Sequence, residues 1–402
     1  LMALAGIPTY AVSTMIPVML IAIGVADGIH FYSHLGIFLK NNPNADKTMA
    51  VRDMIQGMWK PVVMTSVTTA VGFISLLTSQ VYPIKYFGLF TAFGVLVAMG
   101  LTLVLIPAGI MAFNLPKPRV KAGNSTGKSS LAQKFSSVLL SQRKLTWLVT
   151  LGLVIVSIWG INKVWINSSF LDKFESDSEI VQTDAFINSK FGGTSTINVI
   201  LESDAKGTFK QAAILELVDE MQNDVETYHM VGSSFALTDY LKRMNKVMNA
   251  DDEAFNTIPG NEKLNAQYLL LYEMSGDPEN LWKVTDYDYR RLNVTFQVKS
   301  DNSKVINEVL NRIEIYRQPM ADMGVELNFA GSGYKALVFT DLVLQGQILS
   351  LGLSLVIIIL LLSYMFKSIK VGLIGSFPIV ITALIGFGVL GILNIPLSTT
   401  TA

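Results

Sequence analysis

Six apolar stretches of this chain are each long enough to cross the roughly 30 Å of hydrocarbon in a bilayer, which takes about 17–25 helical residues. They run over about 12–38, 61–80, 85–113, 145–161, 342–364 and 371–392. In hydrocarbon every backbone N–H and C=O must find its partner within the protein, so these stretches have to be helices. The fourth is short, and Trp147, Trp159 and Trp165 supply interfacial anchors for it. Composition agrees, with 50% hydrophobic and only 15% charged residues, against about 25% charged in a soluble domain. There is no cysteine, which excludes disulfides, a thiol nucleophile and Cys-based metal sites.

The net charge of zero hides a strong segregation. Of the 31 acids, Asp27, Asp46 and Asp53 precede residue 162, and the other 28 fall between Asp172 and Asp341. Residues 114–144 carry Lys117, Arg119, Lys121, Lys128, Lys134, Arg143 and Lys144 and no acid, so this linker is expected on the cytoplasmic side. The 39–60 loop, with Lys40, Lys47, Arg52 and Lys60, agrees, as do Lys367 and Lys370. Alternation then puts 162–341 outside. The expected divisions are 1–113 (helices of a first half), the 114–144 linker, the 145–161 helix, the external 162–341 domain and 342–402 (helices of a second half).

Within the external region, Thr196–Leu201, Arg291–Val298 and Val325–Ala330 read as strands, and roughly 209–225 and 303–320 as helices. Two strand–helix units around a polar helical middle (about 235–280) predict two small α/β subdomains, with Gly331-Ser-Gly333 as the hinge back to the membrane. A long-period repeat is also present. Gly6-Ile-Pro-Thr-Tyr-Ala-Val-Ser-Thr14 has a counterpart in Asn394-Ile-Pro-Leu-Ser-Thr-Thr400, and Pro8 and Pro396 are 388 residues apart. Matching halves are typical of transporters, and the chain reads as an internal piece of one, about a full period long.

Asp27 is the one acid framed on both sides by long apolar sequence, Met15–Ala26 and Gly28–Tyr32. A carboxyl at membrane depth is costly and is most often found on an ion or proton pathway. His30 and His34 follow at i+3 and i+7, one helical face. Asp27 is read as a proton carrier or, alternatively, as a structural helix–helix hydrogen bond. His30 is read as sharing the proton or as a packing histidine, and His34 as an interfacial side chain. Thr68 and Thr69 either hydrogen-bond Asp27 across a helix interface or bond back to their own preceding turn. Gly24, Gly28, Gly72, Gly88 and Gly94 are expected to permit close helix packing.

Other motifs carry less. Gly123-Asn-Ser-Thr-Gly127-Lys128-Ser129 has three residues between its glycines where a phosphate loop has four, and no strand precedes it. Asn167-Ser-Ser169 and Asn293-Val-Thr295 are glycosylation sequons only in a eukaryotic secretory setting. His229 lies alone on a polar stretch without metal-ligand spacing. No nucleophile–base pairing, cofactor motif or nucleic-acid patch is found, so neither an enzyme nor a nucleic-acid binder is expected.

Four segments in order carry a family resemblance: Gly24-Val-Ala-Asp27-Gly-Ile-His30-Phe, Thr65-Ser-Val-Thr68-Thr69-Ala-Val-Gly72-Phe73, Phe87-Gly88-Leu-Phe-Thr-Ala-Phe-Gly94 and Leu105-Ile-Pro107-Ala. They resemble consecutive transmembrane helices of the resistance–nodulation–division (RND) superfamily, in the MMPL and hydrophobe-exporter branch related to Patched and sterol-sensing domains. The external domain's opening, Asn167-Ser-Ser-Phe-Leu-Asp-Lys-Phe174, is similar too. The resemblance covers essentially the whole chain. It implies an α-helical polytopic membrane domain plus an external α+β porter-like domain of two small ferredoxin-like subdomains. It further implies proton antiport through Asp27, with His30, Thr68 and Thr69 as relay candidates. The family's common Gly-x-x-Asp-Tyr has Gly28 in the Tyr position here, while its Asp-x-x-His version is met by His30. The expected activity is export or transfer of a hydrophobic or lipid-like substrate at a bacterial inner membrane, with membrane lipids and a periplasmic partner as contacts and no cofactor or metal. A Patched-like sensing protein and a protein-translocation accessory factor are the rival readings. An external region of this size leaves no room for the docking part of a tripartite efflux pump.

Overall fold

A computed structural model describes residues 2–113, 141–275 and 278–397. Residues 114–140 of the basic linker, with the phosphate-loop look-alike, lie outside the described residues. So do residues 398–402, which include the end of the second repeat segment. The chain divides into two compact units, Leu1–Trp165 with Leu342–Ala402, and Ile166–Asp341. In chain order the first four helices are α1 (Ile16–Asn41), α2 (Lys47–Ile74), α3 (Tyr82–Ala112) and α4 (Arg143–Ile161). There follow α5 (Glu179–Lys190), β1 (Ser195–Glu202), α6 (Ala212–Glu226), β2 (Val231–Phe235), α7 (Leu237–Met248), α8 (Glu262–Ser275) and α9 (Pro278–Leu281). The series continues with β3 (Arg291–Val298), α10 (Ser303–Glu314), α11 (Arg317–Asp322) and β4 (Glu326–Ala330). The long helices α12 (Ser332–Phe366) and α13 (Ile369–Ile392) complete it.

Six helices are long and apolar enough to cross a membrane, namely α1–α4, α12 and α13. This is a multi-pass membrane protein. Two of the six depart from the expected ends. α2 begins at Lys47, some fourteen residues before the apolar run, capped by the Asp46 carboxylate accepting from Thr48 N at 3.3 Å. Its extra turns bury Ala50, Val51 and Met54 in one cluster with Phe31, Leu35 and Leu39 of α1. An apolar stripe was thus hidden among charges. α12 begins ten residues earlier than the hydropathy suggests, directly after Gly331, whose φ of 100° turns the chain into the helix.

The membrane helices meet through small residues, as expected where no hydrophobic effect drives helix association. α4 and α13 come closest. A Cβ on Gly391 would fall on the Gly160 carbonyl, one on Gly160 on the Gly388 carbonyl, and one on Gly388 on the Ser157 backbone. The pair is closed at its end by Trp165, whose indole donates to Asn394 Oδ1 at 3.1 Å and whose carbonyl accepts from Leu397 N at 2.8 Å.

The Ile166–Asp341 unit holds one four-stranded antiparallel sheet in the order β2-β3-β1-β4. β1 pairs with β3 from Ser195↔Val298 to Glu202↔Arg291, and with β4 on its other side. With α6 linking β1 to β2 and α10 linking β3 to β4, this is a single ferredoxin-like βαββαβ unit. It corrects the expectation of two subdomains: both strand–helix units contribute to the same sheet, and residues 236–290 form an insertion between β2 and β3. One face is dry, because Ile197, Val199, Leu201, Leu292, Val294, Phe296 and Val298 alternate inward. They meet Leu215, Val218 and Met221 of α6 and Ile306, Val309 and Ile313 of α10. The helix expected over 303–320 is broken after Glu314, since Pro319 has no N–H to donate to the Ile315 carbonyl.

The α4–α13 contact yields a stability test. Gly388→Val or Gly391→Val overpacks a backbone-to-backbone contact, and overpacking costs about 1–3 kcal/mol. Thermal unfolding in detergent should fall for both, while Gly152→Ala, whose Cβ would meet nothing within 4 Å, should leave it unchanged.

Candidate functional site

α1 presents one buried stripe in steps of four, Asp27, Phe31, Leu35 and Leu39. Asp27 therefore faces the other helices, 5% exposed. α2 answers with Val62, Ser66 and Ala70, again in steps of four. The two stripes cross where the Ser66 hydroxyl donates to Asp27 Oδ2 at 3.1 Å, and Ser66 itself is 1% exposed. Thr65 and His30 are the other side chains acting on the carboxyl, and no Lys or Arg does so among the described residues. Asp27 is a buried acid with a neutral hydrogen-bond donor.

The other expected site residues fall as follows. Thr68 donates to the Met64 and Thr65 carbonyls, each at 2.9 Å, and Thr69 to the Thr65 carbonyl at 2.7 Å. Both take the back-bonded alternative, and the cross-helix bond to Asp27 comes from Ser66. For Thr68 the reason is angular: at 100° per residue it lies about 160° around α2 from Ser66. Ser66 was legible in that spacing, within the quoted Thr65-Ser-Val-Thr68 segment. His30 is exposed, turned off the buried stripe by its i+3 position. His34 is not a free interfacial side chain. Its imidazole covers Gly57, where a Cβ would come within 2.8 Å of Cε1, and its Nδ1 lies 3.7 Å from Asp53 Oδ2.

Of the packing glycines, Gly24 and Gly72 correct the expectation, since a Cβ on either would meet nothing within 4 Å among the described residues. Gly28 allows ordinary contact with Ile106 at 3.5 Å. The close approaches belong to Gly88, against the Phe73 carbonyl and Leu76, and to Gly94, against Leu20. No group of three or more His, Cys, Asp or Glu that could hold a metal occurs among the described residues. A second feature of this unit is an apolar cleft of about 730 Å³ between α12 and α13, walled by Leu355, Ile358, Ile379, Ala383, Leu384 and Phe387.

No family model and no curated protein matches the chain. Among solved structures it is similar to the hedgehog release protein Disp from the water bear Hypsibius dujardini, with a TM-score of 0.59 at 13% identity. The match covers 97% of this chain and 51% of that one, so this chain spans about half the length of its structural neighbour. At that identity the likeness shows a common fold. The expected combination of a polytopic helical unit with an α+β unit holds at the level of the fold, and no family or branch is singled out.

The Ser66–Asp27 contact is testable by stability. Ser66→Ala leaves a buried carboxyl oxygen without its donor, at a cost of about 1–3 kcal/mol. Chemical denaturation in detergent should register that loss, and Thr68→Ser, which keeps its back-bond, should be near neutral.

Proposed function

We propose that this protein moves a hydrophobic or amphiphilic substrate, such as a lipid, across or out of a membrane, and that Asp27 couples the movement to protons. The observation that carries the reading is the carboxyl itself, buried between α1 and α2, hydrogen-bonded by Ser66 and, among the described residues, with no Lys or Arg acting on it. An arginine or lysine beside it would favour the ionised form. A neutral hydroxyl leaves uptake and loss of the proton both open. His30, exposed one turn along α1, is of the side-chain type suited to passing protons near neutral pH. Thr68 and Thr69 stand on α2 beyond Ser66 as second-rank relay candidates.

The fold common to this chain and a release protein supports transfer as the class of activity. The α12–α13 cleft supports an apolar substrate, since ligand pockets run from about 300 to 1,000 Å³ and this one holds about 730 Å³. In this reading residues 114–144, Lys367 and Lys370 lie on the cytoplasmic side of a bacterial inner membrane, and Ile166–Asp341 lies on the periplasmic side. A second reading, lipid release or sensing without proton flow, is favoured by the neighbour being a release protein.

The deciding measurement is substrate flux driven by a pH gradient in sealed vesicles, with membrane insertion checked separately. Asp27→Asn keeps size and hydrogen bonding and abolishes titration, so coupled flux should drop to the leak rate while insertion persists. His30→Ala should lose only part of the flux, because water can replace an auxiliary relay. Undiminished flux in Asp27→Asn would move the assignment to release or sensing.

A further inference from the structure

Beyond Ser66, α2 continues on neighbouring positions through Thr69, Gly72, Phe73 and Leu76 toward its turn into α3. Thr69, Gly72, Phe73, Ser75 and Leu76 form one wall of a second cavity, and Gln347, Ser350, Leu351 and Ser354 of α12 form the other. Its volume is about 260 Å³, room for several waters at about 30 Å³ each and far less than the apolar cleft offers. Five of its nine lining side chains carry a hydroxyl or an amide, and Leu351 and Ser354 are shared with the apolar cleft.

The hydroxyl protons are already committed. Thr69 donates to the Thr65 carbonyl, Ser75 to the Gly72 carbonyl at 2.6 Å, Ser350 to the Gln347 carbonyl at 3.0 Å and Ser354 to the Leu351 carbonyl at 2.9 Å. What remains on each is acceptor capacity. The half-buried Gln347 amide adds two donors and an acceptor, and it makes no hydrogen bond among the described residues. A second, independent sign comes from α3. Thr91 is fully buried and its hydroxyl has no partner among the described residues. It stands one turn after Gly88, which abuts Phe73 and Leu76 of the cavity wall. A buried polar group without a protein partner calls for water. Gly72 completes the picture, since a Cβ there would enter open space.

We propose that this cleft is a hydrated antechamber for Asp27, admitting protons from the side of the membrane that the α2–α3 turn faces. Thr69 stands one turn from Ser66, about 4.5 Å along the axis, so a short chain of waters bridges the cleft to the Ser66–Asp27 pair. A proton arriving as hydronium leaves neutral water behind and a protonated Asp27 carboxyl. This inference rests on Asp27 being the proton site, and it assigns Thr69, Gln347, Ser350 and Ser354 as positioning residues for water.

The chain has no cysteine, so a single introduced thiol is unique to it. Thr69→Cys, Ser350→Cys and Ser354→Cys are made one at a time in the intact protein, with any cysteine outside these 402 residues replaced by serine. Each is exposed in sealed vesicles to a charged, membrane-impermeant methanethiosulfonate on the side of the α2–α3 turn. The comparison is Val356→Cys on the outward face of α12, where Val356 is 54% exposed. The cleft thiols should react at least tenfold faster than Val356→Cys. Gly72→Leu, which fills the cavity, should slow the Ser350→Cys reaction and lower proton-driven flux with insertion unchanged. Cleft thiols reacting no faster than Val356→Cys, or only with a lipid-soluble maleimide, would show a lipid-filled cleft and overturn the antechamber. Such a failure leaves the Asp27→Asn result standing. Rapid labelling with normal flux in Asp27→Asn would instead remove the proton site and, with it, the antechamber's role. Should one cysteine variant fail to insert, the other two carry the comparison.

Discussion

The membrane unit is governed by the absence of water around its helices. A hydroxyl in hydrocarbon must find an acceptor nearby, and the nearest is a carbonyl one turn back on its own helix. Ser157 bonds to Leu153, Ser376 to Gly372 and Thr382 to Pro378. Polar side chains satisfied in this way cannot hold helices to each other. Association falls to close backbone packing, which is why Ser157, Gly160, Gly388 and Gly391 meet where α4 crosses α13. Against that background the Ser66–Asp27 bond stands apart. Other side-chain bonds between the spans, Lys47 to the Phe113 carbonyl and Trp165 to Asn394, sit at helix ends.

The energetics of that bond argue against a structural purpose. Placing an acid at membrane depth costs a few kcal/mol on insertion scales, and a neutral hydrogen bond returns about 1 kcal/mol. An apolar residue at position 27 would pack into the Phe31–Leu35–Leu39 stripe without that deficit. Ser66 lowers the cost and does not cancel it. A local rule broken without a stability gain points to function, and proton exchange, which is open to a carboxyl beside a hydroxyl, is the function proposed for it.

How far the sequence could be read follows the same physics. The six spans were legible because hydrocarbon demands long apolar runs. β1 and β3 were legible because strict alternation over Thr196–Leu201 and Arg291–Val298 marks a sheet with one dry face. β2, Val231-Gly-Ser-Ser-Phe235, was not. It is an edge strand with a polar middle and a register shift between Val231 and Ser233, so no alternation survives. The single sheet was hidden for a related reason. That β1 and β3 are neighbours, though nearly ninety residues separate them, is a long-range fact no local pattern carries. At the site, the acid was legible and its partner was overlooked. Two threonines attracted the reading by type, whereas the helical period selected the serine between Val62 and Ala70.

Packing on the two sides of Asp27 is unequal, and the inequality bears on direction. On the side of the α1–α2 turn, bulky residues close the space: Phe31, Leu35, Leu39, Met54 and Ile110 form one buried cluster, and the His34 imidazole covers Gly57. On the side of the α2–α3 turn, the buried members are the small Ala70, Ala92 and Val95, with Leu20, Ile23 and Phe73 only partly covered. The Thr91 hydroxyl, without a partner among the described residues, and the hydroxyl-lined cleft lie on this side. In the proposed proton-coupled reading, a carrier that exchanges one proton with two compartments cannot be loose on both sides at once without leaking. The bulky cluster would then serve as the seal, and Phe31, Leu35 and Met54 would have to part for Asp27 to reach the other compartment.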